Sequence, residues 1–527
     1  MRNYIALLVS LVFLTACGGG SSSMPPPIPF GSVSGTAFDG LILNGTVSVY
    51  DFTTGAKGAL LGQATTDSSS GLYSLSLQVE SRPVLVEVTG GYYIEEAGAN
   101  AQIALDTAPN TMHKLTALAN YTTGAALKVA ATTYTHLAAG LAVYQISKGT
   151  AVATAINNAN TRASSLAGVN ILTTTPRQIT DVGNASATLT PELKYGFLAG
   201  AVSMWTLNNT PNTAIARTQP YTSIDFAQLL YQDVSADGLL DGIGLDSTGV
   251  AAPLSFGVTP LGVDVYRKGL GISLVQMAAH PNNKTGIDAP HVLSFAQNYV
   301  GNTDAMFSNV APNPIPDPVV TITSNAWVNK PSNVVAAIQD VLGIRSTDFI
   351  VDNATVATSA SNNPAQTFQF DTSKYSEGVH NVSIHVINLA GQTTTTTIPI
   401  GIDFTAPAST VGGLPTLRLS LSGAQVLSVP VNGCASDGGS GVLSVTSLST
   451  STIVSTDPAT GCWSVPNVTF QITTNLNAYQ FLIKDRANNC SIYNAIPAVF
   501  DMRGNNQANP YIARPSGWTI VSSGACQ

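Results

Sequence analysis

The stretch Gly71-Leu72-Tyr73-Ser74-Leu75-Ser76-Leu77 decides the fold class of the N-terminal part of the chain. Its apolar and polar residues alternate with a period of two, which is typical of a β-strand with one buried face. The same alternation occurs in Thr46-Val47-Ser48-Val49-Tyr50, and Val84-Leu85-Val86-Glu87-Val88 has the composition of a central strand. These strands predict a small β-sandwich over residues 30–110.

Glycine-containing turns separate these strands in a defined order. Val33-Ser34-Gly35 and Phe38-Asp39-Gly40 come first, and Thr65-Thr66-Asp67 precedes the strand that begins at Leu72. In order and spacing this series resembles the carboxypeptidase-regulatory-like (transthyretin-like) sandwich. The resemblance implies a module that acts as a spacer or binds starch or protein, and that has no catalytic residues of its own.

The apolar period changes to about 3.6 residues after residue 110, which predicts an all-α helical domain over residues 111–310. The segment from Leu115 to Lys148 is rich in Ala, Leu and Val and has few charges, so we expect a helix buried on more than one face. Thr190-Pro191-Glu192 is typical of a helix start, with an N-cap, a proline in the first turn and an acid near the positive dipole end. Another helix is expected to start at Ser223.

A proline-rich linker at residues 311–318 marks the next boundary. Short strands at regular spacing follow, which is typical of a sandwich. The run from Asp371 to His380 resembles bacterial Ig-like domains, and Asp403-Phe404-Thr405-Ala406-Pro407 resembles the junction that joins such modules in tandem. The resemblance implies an Ig-like domain over residues 319–404.

Residues 405–527 resemble a second, divergent Ig-like module. Asp437-Gly438-Gly439-Ser440-Gly441-Val442 and the segment from Lys484 to Cys490 stand where that family has two Asp-containing turns. The whole chain is therefore predicted to be a multidomain α+β protein: an N-terminal β-sandwich, a central all-α domain and two C-terminal Ig-like sandwiches.

The N-terminus has the layout of an export signal. Arg2 precedes an apolar run that is too short to span a bilayer. Leu14-Thr15-Ala16-Cys17 resembles the lipobox of bacterial lipoproteins, which implies cleavage of residues 1–16 and acylation of Cys17. Gly18 occupies the position directly after the cysteine, where an aspartate would be the inner-membrane retention signal. The resemblance therefore points to the outer membrane. Residues 17–29 form a Gly/Ser/Pro tether.

The other four cysteines lie in the last hundred or so residues: Cys434, Cys462, Cys490 and Cys526. An even number in an exported chain predicts two disulfides in one domain. Three pairings are possible, and we favour Cys434–Cys462 with Cys490–Cys526. A zinc site is the alternative, but no two of these cysteines are close in sequence and no histidine lies nearby.

One segment offers candidate metal ligands. Asp233, Ser235, Asp237 and Asp241 place oxygen side chains along a sequence that continues into Asp-Gly turns, as in an EF-hand-type calcium loop. The match is incomplete, because the third position is Ser and no Glu closes the loop. The alternative is a helix C-terminus that passes into ordinary Asp-Gly turns. No other cofactor is expected.

Composition and motifs argue against several functions. The 21 basic residues are not clustered and are outnumbered by 29 acidic ones, so nucleic acid is not an expected partner. No zinc-protease, hydrolase-elbow, phosphate-loop or dinucleotide motif is present, and the six histidines are scattered. Glu95 and Glu96 are adjacent on an expected strand and so face opposite sides. We therefore expect no catalytic residues and no enzyme activity.

The order of segments suggests a function by analogy. We predict a surface-exposed adhesion lipoprotein that binds a protein or glycan ligand, because a lipid anchor and a tether are followed by a sandwich, a helical domain and Ig-like modules. One alternative is a periplasm-facing envelope lipoprotein that binds a protein or polysaccharide. A second alternative is a hydrolase with an unrecognised site in the helical domain.

Overall fold

The computed structural model describes most of the chain between residues 28 and 525. The described residues are 28–98, 102–105, 113–210, 222–411, 417–419, 425–472, 479–496, 499–501, 509–512 and 517–525. The predicted signal peptide, Cys17, the tether up to residue 27 and Cys526 lie outside them. Cleavage, acylation and the pairing of Cys526 therefore stay predictions.

The N-terminal sandwich consists of two main sheets and a small hairpin. Its strands are β1 (Gly31–Phe38), β2 (Thr46–Asp51), β3 (Leu60–Thr65), β4 (Leu72–Leu77), β5 (Arg82–Thr89), β6 (Tyr92–Ile94), β7 (Gln102–Ala104), β8 (Leu115–Tyr121), β9 (Ala126–Lys128) and β10 (Ala131–Thr132). One sheet has the order β10-β1-β4, with β9 also on β1, and the other has the order β3-β2-β5-β8. Burial alternates strictly along β4, as its sequence predicts.

The prediction of a helix from Leu115 to Lys148 is wrong in its first half. Leu115–Tyr121 is strand β8, which pairs antiparallel with β5, and β9 and β10 pair with β1. The sandwich therefore continues beyond residue 110. Both faces of β8 are buried, Ala117 against the sandwich core and Leu118 against the helices. A strand buried on both faces loses its alternation and cannot be told from a buried helix by periodicity.

Six α-helices follow within the described residues. They are α1 (Thr133–Ser147), α2 (Val152–Ala167), α3 (Pro191–Asn209), α4 (Ser223–Asp237), α5 (Leu270–Ala279), which a π-helical turn (Val265–Gly269) precedes, and α6 (Ala289–Val300). This region is not all-α, because it also contains two short hairpins. Their strands are β11 (Ile243–Leu245), β12 (Ala251–Pro253), β13 (Ser255–Phe256) and β14 (Thr259–Pro260).

The two predicted helix starts are confirmed. Thr190 caps α3, and its hydroxyl accepts a hydrogen bond from the Leu193 amide. Thr222 caps α4, and the Asp225 carboxylate accepts a hydrogen bond from the Thr222 amide at 2.8 Å, which completes a capping box. In the part of the chain that the structure describes, no helix is long and apolar enough to cross a membrane.

The sandwich and the helices share a hydrophobic core and form one body. Leu85 and Leu118, on the outer face of the β3-β2-β5-β8 sheet, belong to the same buried cluster as α1 and α3. Ile224 and Ala227 of α4 pack in turn against the sandwich core. The body therefore has three layers: sheet, sheet and helices.

A glycine in α3 allows the helix to approach the preceding chain closely. A Cβ on Gly196 would lie 2.0 Å from the Arg177 carbonyl oxygen, whereas a Cβ on Gly200 would meet only the side-chain atoms of Ile179 and Met277. We expect Gly196→Ala to lower the free energy of unfolding of the body by about 2 kcal/mol, because a backbone carbonyl cannot move aside. Gly200→Ala is the matched control and should cost less. Equal hydrogen-exchange protection of α3 in both variants would contradict this expectation.

Residues 319–402 form an Ig-like β-sandwich. Its strands are β15 (Val319–Thr323), β16 (Trp327–Val328), β17 (Ser332–Gln339), β18 (Ile344–Val351), β19 (Ala354–Ser359), β20 (Ala365–Phe370), β21 (Gly378–Asn388) and β22 (Thr393–Ile402). The sheet orders are β15-β17-β20 and β16-β22-β21-β18-β19. This is the strand order of an Ig-type sandwich. Phe349 and Phe370 are buried between the sheets.

A second Ig-like module follows at once. Its strands are β23 (Ala408–Val411), β24 (Leu417–Leu419), β25 (Gln425–Ser436), β26 (Val442–Ser447), β27 (Thr452–Val454), β28 (Cys462–Ile472), β29 (Tyr479–Asp485), β30 (Asn489–Ile496), β31 (Val499–Asp501), β32 (Asn509–Ile512) and β33 (Gly517–Ala525). The sheets are β23-β25-β28, β27-β26-β29-β30-β33 and β24-β31-β32. A disulfide joins Cys434 to Cys462 across β25 and β28. Cys490 is also disulfide-bonded.

Candidate functional site

A cleft of about 570 Å³ lies where the sandwich meets α1 and α4. Its floor is made by strands β5 and β8, and its walls by the two helices and by the loop after β2, which contributes Phe52, Gly55 and Lys57. The volume is within the usual range for small-molecule pockets, roughly 300–1,000 Å³. We call this feature the body cleft.

The two floor strands pair in a register that divides the cleft into a polar and an apolar end. Glu87 of β5 lies opposite Thr116 of β8, and Leu85 lies opposite Leu118 one rung further along the same face. His136, near the start of α1, hydrogen-bonds Thr116, whereas Ala139 and Val143 continue the same helix face toward the apolar end.

Glu87 is a buried carboxylate held by two lysines. Its oxygens accept hydrogen bonds from Lys57 Nζ at 2.6 Å and from Lys114 Nζ at 2.9 Å, and its side chain is 5% exposed. Burial alone would raise the pKa of Glu87, but the hydrogen bonds and charges of the two ammonium groups outweigh it and hold that pKa below its usual value. The polar end therefore carries two positive charges and one negative charge.

His136 is a neutral member of the polar end. Its Nδ1 accepts a hydrogen bond from the Thr116 amide, so the proton of the neutral ring is on Nε2, which faces the Gln228 carbonyl oxygen at 3.3 Å. Burial lowers the pKa of His136 to about 4, against the opposing effect of Gln228. The Tyr231 ring stacks on the imidazole with centroids 4.8 Å apart. His136 thus adds no charge to the cleft at neutral pH.

The residues proposed for calcium do not form a loop. Asp233, Ser235 and Asp237 lie in α4, where Ser235 points away from the face that the other two share. The Asp233 carboxylate accepts hydrogen bonds from the Gly242 and Ile243 amides at 3.0 and 3.1 Å, and burial raises its pKa to about 7. Asp241 also accepts from the Ile243 amide. These carboxylates hold the turn after α4, and calcium binding by them stays a prediction.

Three other carboxylates do converge, at the junction between the two Ig-like modules. Ligand atoms of Asp403, Asp437 and Asp485 lie within 4.8 Å of one another, and within the described residues no other group of three acidic, His or Cys side chains meets that distance. Burial raises the pKa of both Asp437 and Asp485. These are the residues that could hold a divalent cation, because hard cations prefer several carboxylate oxygens.

Asp403 also joins the two modules directly. Asp403, at the end of the first module, accepts a hydrogen bond from the Ser440 amide of the second at 2.7 Å. The Asn489 side-chain amide donates to the Asp403 carbonyl at 2.8 Å, and Asn329 of the first module donates to the Asn489 side chain at 2.8 Å. The junction is therefore a hydrogen-bonded contact between the two modules.

The body contains a further buried acidic group, at the starts of two helices. Asp39 accepts a hydrogen bond from the Thr133 hydroxyl of α1, and Glu95 accepts hydrogen bonds from the amide and the hydroxyl of Ser223 in α4. Glu96 is 2% exposed, and its carboxyl group faces Thr180. Burial raises the pKa of both Asp39 and Glu96 to about 8.

The sequence analysis identified neither the body cleft nor the acids Asp39, Glu95 and Glu96 as a site. It treated His136 only as one of six scattered histidines, but the side chain is buried. Glu87 was counted only as part of a central strand. A single charged residue in an otherwise apolar strand was the available signal, since an isolated buried charge needs a partner.

No protein-family model matches the sequence, and no curated protein is similar to it. Several solved structures are similar over parts of the chain. The fibronectin(III)-like modules of Clostridium thermocellum CbhA are 13% identical over 36% of this chain and 100% of theirs, with a TM-score of 0.24. A tetra-tandem repeat from the extending region of a large adhesion protein is 12% identical over 88% and 95%, with a TM-score of 0.17.

A third similar structure is the Bacteroides ovatus protein SGBP-B in complex with a mixed-linkage heptasaccharide. It is 11% identical over 33% of this chain and 45% of its own, with a TM-score of 0.14. At these scores the similarities carry no argument about function. The Ig-like assignment rests on the strand order of the two modules.

Proposed function

We propose that this chain is a lipid-anchored, non-enzymatic binding protein of the bacterial outer membrane that presents its Ig-like modules at the cell surface to a protein or glycan ligand. The observation that carries the proposal is the series of two Ig-like sandwiches joined end to end by the Asp403–Ser440 and Asn329–Asn489 hydrogen bonds. A directly bonded pair of modules keeps its orientation, which suits presentation of a binding face at a distance from an anchor.

Contacts between the body and the first module support the same proposal. Ile315 of the proline-rich linker is 5% exposed, and Leu342 and Ala390 of the first module are buried in the core cluster of the helices. The linker is therefore packed on the body, and is not a loose hinge. A force that acts on the second module, or a displacement caused by ligand binding there, would be transmitted to the body through these contacts.

The test is immunolabelling of intact cells with an antibody to residues 408–527. We expect labelling of cells that express the wild-type chain, and loss of cell-associated label for Cys17→Ser, because that variant lacks the thiol that carries the lipid. Permeabilised cells serve as the control for expression. Signal only after permeabilisation would reject surface presentation and favour a periplasmic partner. Equal labelling of wild type and Cys17→Ser would reject the lipid anchor.

A further inference from the structure

The geometry points to the body cleft as the binding site of an amphiphilic carboxylate, a small molecule with one carboxylate head and an apolar tail. This inference concerns the body and does not depend on the proposed surface role. It rests on two independent features of the cleft: the excess positive charge at one end and the apolar lining of the other.

The charge at the polar end is unbalanced. Lys57 and Lys114 share one carboxylate partner, Glu87, and each ammonium group gives it one of three N–H donors. The Lys57 ammonium group also lies 4.0 Å from the centroid of the uncharged Tyr50 ring. No other side chain that lines the cleft is charged at neutral pH, because His136 is neutral. A ligand with a single negative charge brings this end to neutrality, and each ammonium group retains donors to offer it. A second bound carboxylate would make the end negative.

The apolar end fits a tail and not a second polar group. Leu85, Leu118 and Ala139 form its floor and wall, with Val143 and Phe52 beside them. The first three are at most 7% exposed and belong to the core cluster of the helices, so an apolar tail would extend the existing core. A sugar or a dicarboxylate would place hydroxyl or charged groups against these residues without hydrogen-bond partners.

The mouth of the cleft can be changed without touching this lining. Ala56 and Lys57 lie in the loop after β2 and are exposed, so a larger side chain at Ala56 can cover the entrance while the core stays intact. Lys128 of β9 offers a matched control, since it is an exposed lysine on the same sandwich that lines a different cavity.

The experiment is isothermal titration of the purified full chain with octanoate, acetate and octyl glucoside. We expect octanoate to bind, acetate to bind at least tenfold more weakly because it has no tail, and octyl glucoside to bind at least tenfold more weakly because it has no charge. Lys114→Met and Lys57→Met should each weaken octanoate binding about tenfold, the loss expected for one charge-assisted hydrogen bond. Ala56→Trp should abolish binding, and Lys128→Met should leave it unchanged.

Four results would overturn the inference. They are no binding of octanoate by the wild-type chain, equal binding of acetate, equal binding of octyl glucoside, and binding that Ala56→Trp and both cleft lysine variants leave unchanged. Ala56→Trp keeps the test decisive if a lysine variant is unstable, because the Lys57–Glu87 and Lys114–Glu87 pairs remain in that variant. Failure of this test leaves the labelling of intact cells untouched, so the two proposals are tested separately.

Discussion

Replacing Arg267 with Leu is expected to lower the free energy of unfolding of the region around the linker by about 3 kcal/mol. Arg267 is 1% exposed, and its guanidinium group donates hydrogen bonds to the carbonyl oxygens of Asn302, Val310 and Ala311 at 2.9–3.0 Å. It also lies 4.7 Å from the centroid of the Phe307 ring. Hydrogen bonds from a charged donor contribute about 1.5–3 kcal/mol each. Loss of the guanidinium group leaves three carbonyl groups without a hydrogen-bond donor.

The position of Arg267 gives this effect a structural consequence. The carbonyl groups that it binds belong to Asn302 and Val310, before the linker that leads to the first Ig-like module, and to Ala311, the first residue of that linker. Loss of these hydrogen bonds should release the start of the linker from the body. Hydrogen–deuterium exchange of peptides covering residues 302–318 should rise strongly in Arg267→Leu, while exchange in β21 and β22 stays as in the wild type.

Arg267→Lys separates geometry from charge. Lysine keeps the positive charge but cannot reach three carbonyl groups with a planar fork, so we expect an intermediate loss of protection. If Arg267→Leu exchanged like the wild-type protein, the linker would be held by apolar contacts such as Ile315 alone, and the role given to Arg267 would be wrong.

Replacing Asp39 with Asn is expected to stabilise the body at pH 8 and to have little effect at pH 4. Burial first, and the nearby Glu95 carboxylate second, raise the pKa of Asp39 from 3.8 to about 8. The folded protein therefore retains a proton that the unfolded chain releases above about pH 4. This proton favours folding most at low pH, and its contribution is lost as the pH rises toward 8.

The size of the effect follows from this linkage. One such proton changes the free energy of unfolding by at most about 1.4 kcal/mol per pH unit, so the difference between pH 4 and pH 8 is of the order of a few kcal/mol. Asparagine has the same shape and does not ionise, so Asp39→Asn removes this dependence. Its amide group can also donate toward Glu95, whose second oxygen is buried without a hydrogen-bond partner.

Hydrogen exchange of β5 and α4 between pH 4 and pH 8, corrected for intrinsic rates, measures this stability. Glu96→Gln should behave in the same way, because burial also raises the pKa of Glu96 to about 8. Asp246→Asn is the control: Asp246 is exposed, and hydrogen bonds from the Thr248 hydroxyl and backbone lower its pKa, so it is ionised in both states and this variant should keep the wild-type pH dependence between pH 5 and pH 8. A wild-type stability that does not fall between pH 5 and pH 8 would contradict the expectation for Asp39.

Local patterns in the sequence were sufficient for several elements. Alternation along Leu72–Leu77, the N-cap signal at Thr190, the helix start at Ser223 and the strand spacing of the Ig-like modules depend on residues that are close in sequence. The structure contains these elements as expected.

Long-range contacts decided the rest. Leu115–Tyr121 is a strand because the pairing with β5 and the helices on its other face supply its partners, and neither is encoded within the segment. Asp403, Asp437 and Asp485 were recognisable only as parts of one junction and two turns. Asp437 and Asp485 belong to the second module, and the packing of the first module on the second brings the Asp403 carboxylate to them. The body cleft has the same origin, since Glu87, Lys57, Lys114 and His136 come from four elements. The tertiary fold determines which residues form such charge pairs. A buried charge needs a partner, but this requirement does not specify where in the sequence the partner lies.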